Sequence, residues 1–134
     1  MPRILFVDDN KEYLGIISSV LNKVGYDVVT AENGIDAIDK FDESSFDAVV
    51  TDLIMPGANG YELAKYIRDT SGDDGTPAII CITGTSCDID RRSFDVFLEK
   101  PFSIKKLIGY LKDFENKKNC SKTRNNGFLK YGHV

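Results

Sequence analysis

Pro77-Ala78-Ile79-Ile80-Cys81-Ile82-Thr83 sets five apolar side chains in a row with no polar residue between them. Successive side chains of a strand point to opposite faces, so an unbroken run requires apolar cover on both sides. Parallel sheets meet that requirement, because the crossovers between parallel strands place helices on both faces. Four more runs of strand length lie outward from this one: Ile4 to Val7, Tyr26 to Ala31, Phe46 to Thr51 ending on Asp52, and Phe94 to Leu98. Helical spacings separate them. Leu14, Ile17, Val20, Leu21 and Val24 share one stripe ahead of a capping Gly25. After the turn signal Asn33-Gly34, Ile35, Ile38 and Phe41 recur at helical intervals. Leu63, Ala64 and Ile67 mark a helix that starts at Asn59 or Gly60, after the break at Pro56-Gly57. Ser103 is a good N-cap for a last helix carrying Ile104, Leu107, Ile108, Leu111 and Phe114. The expected fold is α/β: a doubly wound, five-stranded parallel sheet with helices on both faces.

The 134 residues suffice for one domain and a tail. A domain of this size buries about two-thirds of its unfolded surface, so its core needs no disulfide or metal staple. An apolar content of 42% beside 28% charged residues is ordinary for a soluble globular chain. Cys81, Cys87 and Cys120 are odd in number and show no Cys-x-x-Cys spacing, which suggests neither a disulfide framework nor a zinc site. The apolar stretch at residues 4–7 is too short for a signal sequence. No window approaches the ~18 apolar residues of a membrane span. A cytoplasmic location is expected. The tail holds Lys117, Lys118, Lys122, Arg124 and Lys130 without an acid, so the net charge of -4 conceals a body of -9. An acidic body argues against direct nucleic-acid binding. The expected division is a folded domain over 1–116 and a basic, poorly ordered tail over 117–134.

In doubly wound sheets ligands bind beyond the carboxyl ends of the strands. The polar residues there are Asp8 and Asp9 after the first strand, Asp52 after the third, Thr83 after the fourth and Lys100 after the fifth. Each alone reads as a turn residue or a solvated charge. Together they would place three carboxylates, a hydroxyl and an ammonium in one crevice. Three neighbouring carboxylates repel, and Mg²⁺ is the hard, oxygen-seeking cation that suits such a set. One carboxylate can then attack a phosphoryl group and form an acyl phosphate. Charge neutralisation by Mg²⁺ and Lys100 and a hydrogen bond from Thr83 meet the needs of phosphoryl transfer.

Asp8-Asp9, Asp52-Leu53-Ile54-Met55-Pro56-Gly57 with Gly60, Thr83 and Lys100-Pro101-Phe102 resemble, in order, the signature of response-regulator receiver domains of two-component systems. The resemblance covers about residues 3 to 116. It implies a flavodoxin-like receiver fold with Asp52 as phospho-acceptor. It implies that Asp8, Asp9, Asp52 and the main-chain carbonyl of Ile54 hold Mg²⁺. Lys100 would pair with the phosphate, with Thr83 and Phe97 as switch residues. The implied partners are a histidine kinase or phosphotransfer protein and a downstream protein target, with the chain a monomer or weak dimer. Such a domain is a signalling switch, not an enzyme acting on other substrates.

The chain departs from that pattern in three places. Phe97 stands where tyrosine is common. The segment from Thr83 to Lys100 is shorter than usual by more than a helical turn, and Cys87 to Ser93 holds few apolar residues. A shortened fourth helix is therefore expected. Two residues beyond Asp52 and Thr83 stand Ile54 and Thr85, and Ile54 cannot orient a water. Other readings are a magnesium-dependent aspartyl phosphatase of the haloacid dehalogenase type, a flavodoxin-like electron carrier, and a phosphate-relay domain cut from a hybrid kinase. The phosphatase expects a second Asp at position 54, and the electron carrier expects a phosphate loop after the first strand that the sequence lacks.

Overall fold

The structure, a computed structural model, describes residues 2–53, 59–71, 76–84, 94–99 and 103–124, with side chains described to residue 116. Nine elements follow in order: β1 (Arg3–Val7), α1 (Lys11–Lys23), β2 (Asp27–Ala31), α2 (Gly34–Glu43), β3 (Ala48–Asp52), α3 (Gly60–Ser71), β4 (Ala78–Thr83), β5 (Val96–Glu99) and α4 (Ile104–Arg124). All five strands are parallel, in the order β2-β1-β3-β4-β5. This is the doubly wound sheet expected from the apolar run at Ala78–Ile82. Its order reverses between β1 and β3, so the carboxyl ends of those two strands flank the crevice.

Residues 1–102 and 103–134 form two compact units. In the first, side-chain alternation sorts the strands onto two apolar faces. Leu5, Val7, Val49, Ile79 and Cys81 point to the face covered by α2 and α3, where Ala37, Leu63, Ala64 and Ile67 are buried. Ile4 and Phe6 point the other way, toward α1, whose Leu14, Ile17 and Leu21 are buried. The Phe6 and Tyr13 rings meet edge to face there, with centroids 6.0 Å apart. Among the described residues the second unit holds helix α4, whose first turn closes on Ser103: the Leu107 N–H donates to the Ser103 carbonyl at 3.1 Å.

The helix ends follow from local chemistry. Asn10 and Asn33 cap α1 and α2, their side-chain oxygens accepting the N–H groups of Tyr13 (3.1 Å) and Asp36 (2.8 Å). The pair Asn33-Gly34, read as a turn, is thus a cap and a first helical residue. α1 stops at Gly25, where φ is +101°. There the N–H of Tyr26 reaches the Leu21 carbonyl and that of Gly25 the Asn22 carbonyl, each at 3.1 Å.

Two buried stripes are narrower than the spacing predicts. Ile35 is 59% exposed, because α2 lays its small residues Gly34 and Ala37 inward, with Ile38 and Phe41 half-buried. Val24, at the C-cap of α1, has turned outward. α4 runs through Arg124. The expected shortening of a helix between Thr83 and Lys100 falls on residues 85–93, outside the described residues. No helix among the described residues is long and apolar enough to cross a membrane.

Leu63 has no exposed surface and sits where α3 meets the sheet. Leu63→Ala is expected to lower unfolding stability by about 2–5 kcal/mol through lost burial and a residual cavity. Urea denaturation measures this, and a loss under about 1 kcal/mol would mean that the α3 face is not packed as described.

Candidate functional site

β1 and β3 are hydrogen-bonded neighbours, with Val7 in register with Thr51. The next residue on each strand path is an aspartate, so Asp8 and Asp52 emerge side by side. Asp8 is 3% exposed, Asp52 is half-buried and Asp9 is exposed. One carboxylate oxygen from each of the three lies within 4.8 Å of the others. Backbone contacts fix the two inner acids. The Asp8 N–H donates to the Ala31 carbonyl at 3.1 Å, and Asp8 Oδ1 accepts the Asn10 N–H at 2.9 Å. Asp52 Oδ1 accepts the Leu53 N–H at 3.0 Å.

The donor set is three carboxylate oxygens, with no nitrogen or sulfur in it. That chemistry fits Mg²⁺, which takes oxygen ligands and is commonly held by one or two carboxylates with waters and a substrate phosphate. Mutual repulsion gives the cluster a reason to hold a cation.

Thr83 ends β4, one residue beyond Ile82, which is in register with Asp52. It is 3% exposed and in register with Glu99 of β5. Lys100 follows Glu99 in sequence, but Lys100 and Ile54 both lie outside the described residues. The structure therefore brings together Asp8, Asp9 and Asp52 and sets Thr83 at the end of the adjoining strand. Phe97 is in register with Cys81 on β5 and half-buried against the core. Its ring meets Phe94 in a T-shape at 5.4 Å, and Phe94 meets Tyr61 of α3 at 5.5 Å.

One residue of the site escaped the sequence reading. Tyr13, half-buried, stands three residues after the α1 cap, and helical side chains lean toward the N-terminus of their helix. That lean turns its phenol toward the acids. Burial pushes its pKa up to about 12, with further contributions from the charges of Asp8 and then Asp52. The available signal was its position on the turn facing Asp8. Cys81 is also pushed up to about 12, by burial first and then by Asp52, so its thiol stays protonated and inert.

A parallel sheet of this order with an acidic trio at the β1/β3 switch point defines an α/β domain of the receiver type. The chain matches the response regulator receiver domain model over residues 4–112, and it belongs to that family. It is 37% identical over 117 residues to the transcriptional regulatory protein CpxR homolog of Haemophilus influenzae, covering 84% of this chain and 49% of that protein. It is 30% identical over 115 residues to protein PilG of Pseudomonas aeruginosa, covering 82% of this chain and 84% of that one. The chain thus spans about half the length of the CpxR-type relatives it matches and most of PilG. Among solved structures it is similar to response regulator protein TrrA of Thermotoga maritima in complex with Mg²⁺ and BeF. The TM-score there is 0.75 at 33% identity, over 85% of this chain and 99% of that one. TrrA has also been solved in complex with the histidine kinase ThkA. Family membership makes the chain a signalling receiver of two-component response regulators and sets aside the electron-carrier and phosphatase readings.

A phenol whose folded pKa exceeds the unfolded value of about 10 stabilises the fold below pH 10, and that stability is lost as pH rises through about 12. In metal-free buffer, ultraviolet titration is expected to show a late phenolate transition that Tyr13→Phe removes. Asp8→Asn should move it down without restoring the ordinary value, because burial is the larger cause. An unchanged transition in Asp8→Asn would separate Tyr13 from the acidic cluster.

Proposed function

We propose that the chain is a phosphorylation switch: Asp52 accepts a phosphoryl group from a histidine kinase or phosphotransfer protein in a Mg²⁺-dependent reaction. The observation that carries this reading is the convergence of Asp8, Asp9 and Asp52 oxygens within 4.8 Å at the carboxyl end of a receiver-family sheet. Bound Mg²⁺ supplies positive charge that offsets the carboxylates and the incoming phosphoryl oxygens. Asp8, Asp9, Asp52 and the Ile54 carbonyl would hold it.

The chain's own residues account for the rest. An Asp52 oxygen forms a bond to phosphorus as the bond to the donor's imidazole nitrogen breaks, and the phosphoryl group ends as an acyl phosphate. The Leu53 N–H holds Asp52 Oδ1 and so fixes the orientation of the carboxylate. The Asn10 N–H holds Asp8 in the same way. Thr83 donates its hydroxyl to a phosphoryl oxygen, and Lys100 neutralises charge from the β5 side. Movement of Thr83 then alters the space available to Phe97, which biases an existing two-state equilibrium. The output is contact with a downstream protein in the cytoplasm, by a domain that catalyses only its own phosphorylation and dephosphorylation. The complex of TrrA with a histidine kinase supports the donor class, and the TrrA complex with Mg²⁺ and BeF supports the cation.

Incubation with a small acyl phosphate and Mg²⁺ is expected to add one phosphoryl group by mass, and none in Asp52→Asn or with chelator present. Equal labelling of Asp52→Asn would refute Asp52 as the acceptor. The adduct is expected to be long-lived, because Ile54 offers no group to orient an attacking water. Ile54→Asn should shorten its half-life severalfold in a decay assay with Mg²⁺ present. Unchanged decay would count against a water-orienting role for position 54.

A further inference from the structure

β3 and α3 meet where no side chain fits. The Gly60 N–H donates to the Leu53 carbonyl at 2.9 Å, which ties the start of α3 to the residue after Asp52. A Cβ on Gly60 would stand 2.8 Å from the Asp52 carbonyl oxygen, 3.0 Å from Leu53 Cα and 3.3 Å from the Leu53 carbonyl oxygen. All three are backbone atoms, which cannot swing aside as the end of a flexible side chain can. The need here is for space. The positive-φ glycine of the described residues is Gly25, not Gly60.

Neither partner in the contact yields freely. α3 is anchored by Leu63, Ala64 and Ile67, each without exposed surface. Its start is locked by a reciprocal cap: the Asn59 N–H donates to Glu62 Oε1 at 2.9 Å, and the Glu62 N–H to Asn59 Oδ1 at 3.0 Å. β3 is paired on both sides, and the Leu53 N–H also reaches the Ile82 carbonyl at 3.1 Å. Gly15 and Gly109, also helical, have nothing within 4 Å of a built Cβ. Gly60 differs from these two helical glycines in meeting the backbone beside Asp52.

We infer that Gly60 is a positioning residue for phosphorylation of Asp52. Its missing side chain lets α3 begin against the backbone of residues 52–53, and that contact sets where the Asp52 carboxylate sits in the acidic cluster. The inference rests on the proposed role of Asp52 as acceptor. An added methyl displaces the backbone that carries the nucleophile. Phosphoryl transfer depends on that placement, and a misplacement of about an ångström slows such reactions substantially.

The test uses the full chain in a Gly15→Ala background, where an open helical position gains stability from the alanine. Phosphorylation by a small acyl phosphate is followed at saturating Mg²⁺ and donor, well below the melting midpoint. Gly60→Ala is expected to slow the saturated rate by about tenfold or more, with far-ultraviolet circular dichroism unchanged. Asn59→Ala, which loosens the cap but adds no atom beside Asp52, should keep the parent's rate. A Gly60→Ala chain that reacts at the parent's rate overturns the inference alone. So does one that fails to fold even in this background, because the glycine would then serve the fold as a whole. An Asn59→Ala chain slowed as much as Gly60→Ala would assign the effect to the helix start and overturn the inference too. A parent that takes up no phosphoryl group at all removes the acceptor reading beneath it.

Discussion

Carboxylates repel, and this fold forces three of them together. Asp8 and Asp9 end the path of β1 and Asp52 ends β3. The backbone ladder between those strands holds Asp8 and Asp52 side by side. The Asn10 and Leu53 N–H groups hold the two inner acids in place. A hard cation held among the three would release the free energy stored in that crowding. The covered sheet, the caps and the helices on its faces all serve to keep the strand ends fixed while the charges push apart.

The aromatic residues show how a change at that end could be felt elsewhere. Tyr61 follows Gly60 directly in the first turn of α3, and its ring reaches Phe94 and through it Phe97. Phe97 lies on β5, beside the strand that ends on Thr83. A route of touching rings thus runs from the start of α3, which abuts the backbone of Asp52, to Phe97. It is a chain of packed groups, which transmits displacement because the interior has little room to absorb it.

Most of this architecture was legible in the sequence, because parallel strands need apolar residues on both faces and helices between them. The run Ala78–Ile82 announced the sheet, and the rule that ligands gather at strand carboxyl ends singled out Asp8, Asp9, Asp52 and Thr83. Helix spacing was less informative about which flank faces inward. Ile35 fits the period of α2 as well as Ile38 does, but small Gly34 and Ala37 let that helix approach the sheet on their side. Tyr13 was missed because a helical side chain covers the turn before its own position, a displacement that residue spacing does not record. The tight junction at Gly60 was hidden for a related reason. The sequence shows a glycine, but which backbone lies against it depends on two elements meeting in space.

The strand order also governs when the site comes into being. Asp8 and Asp52 are separated by three complete elements, α1, β2 and α2, and most of β3, so during synthesis the first acid must wait until β3 has emerged and docked beside β1. No early, local piece of the fold contains the trio. Slow, long-range closure is characteristic of parallel sheets. Any cation that recognises only the completed trio favours the finished domain over its precursors by mass action. Assembly of the acidic trio and docking of β3 beside β1 are therefore a single event in this molecule.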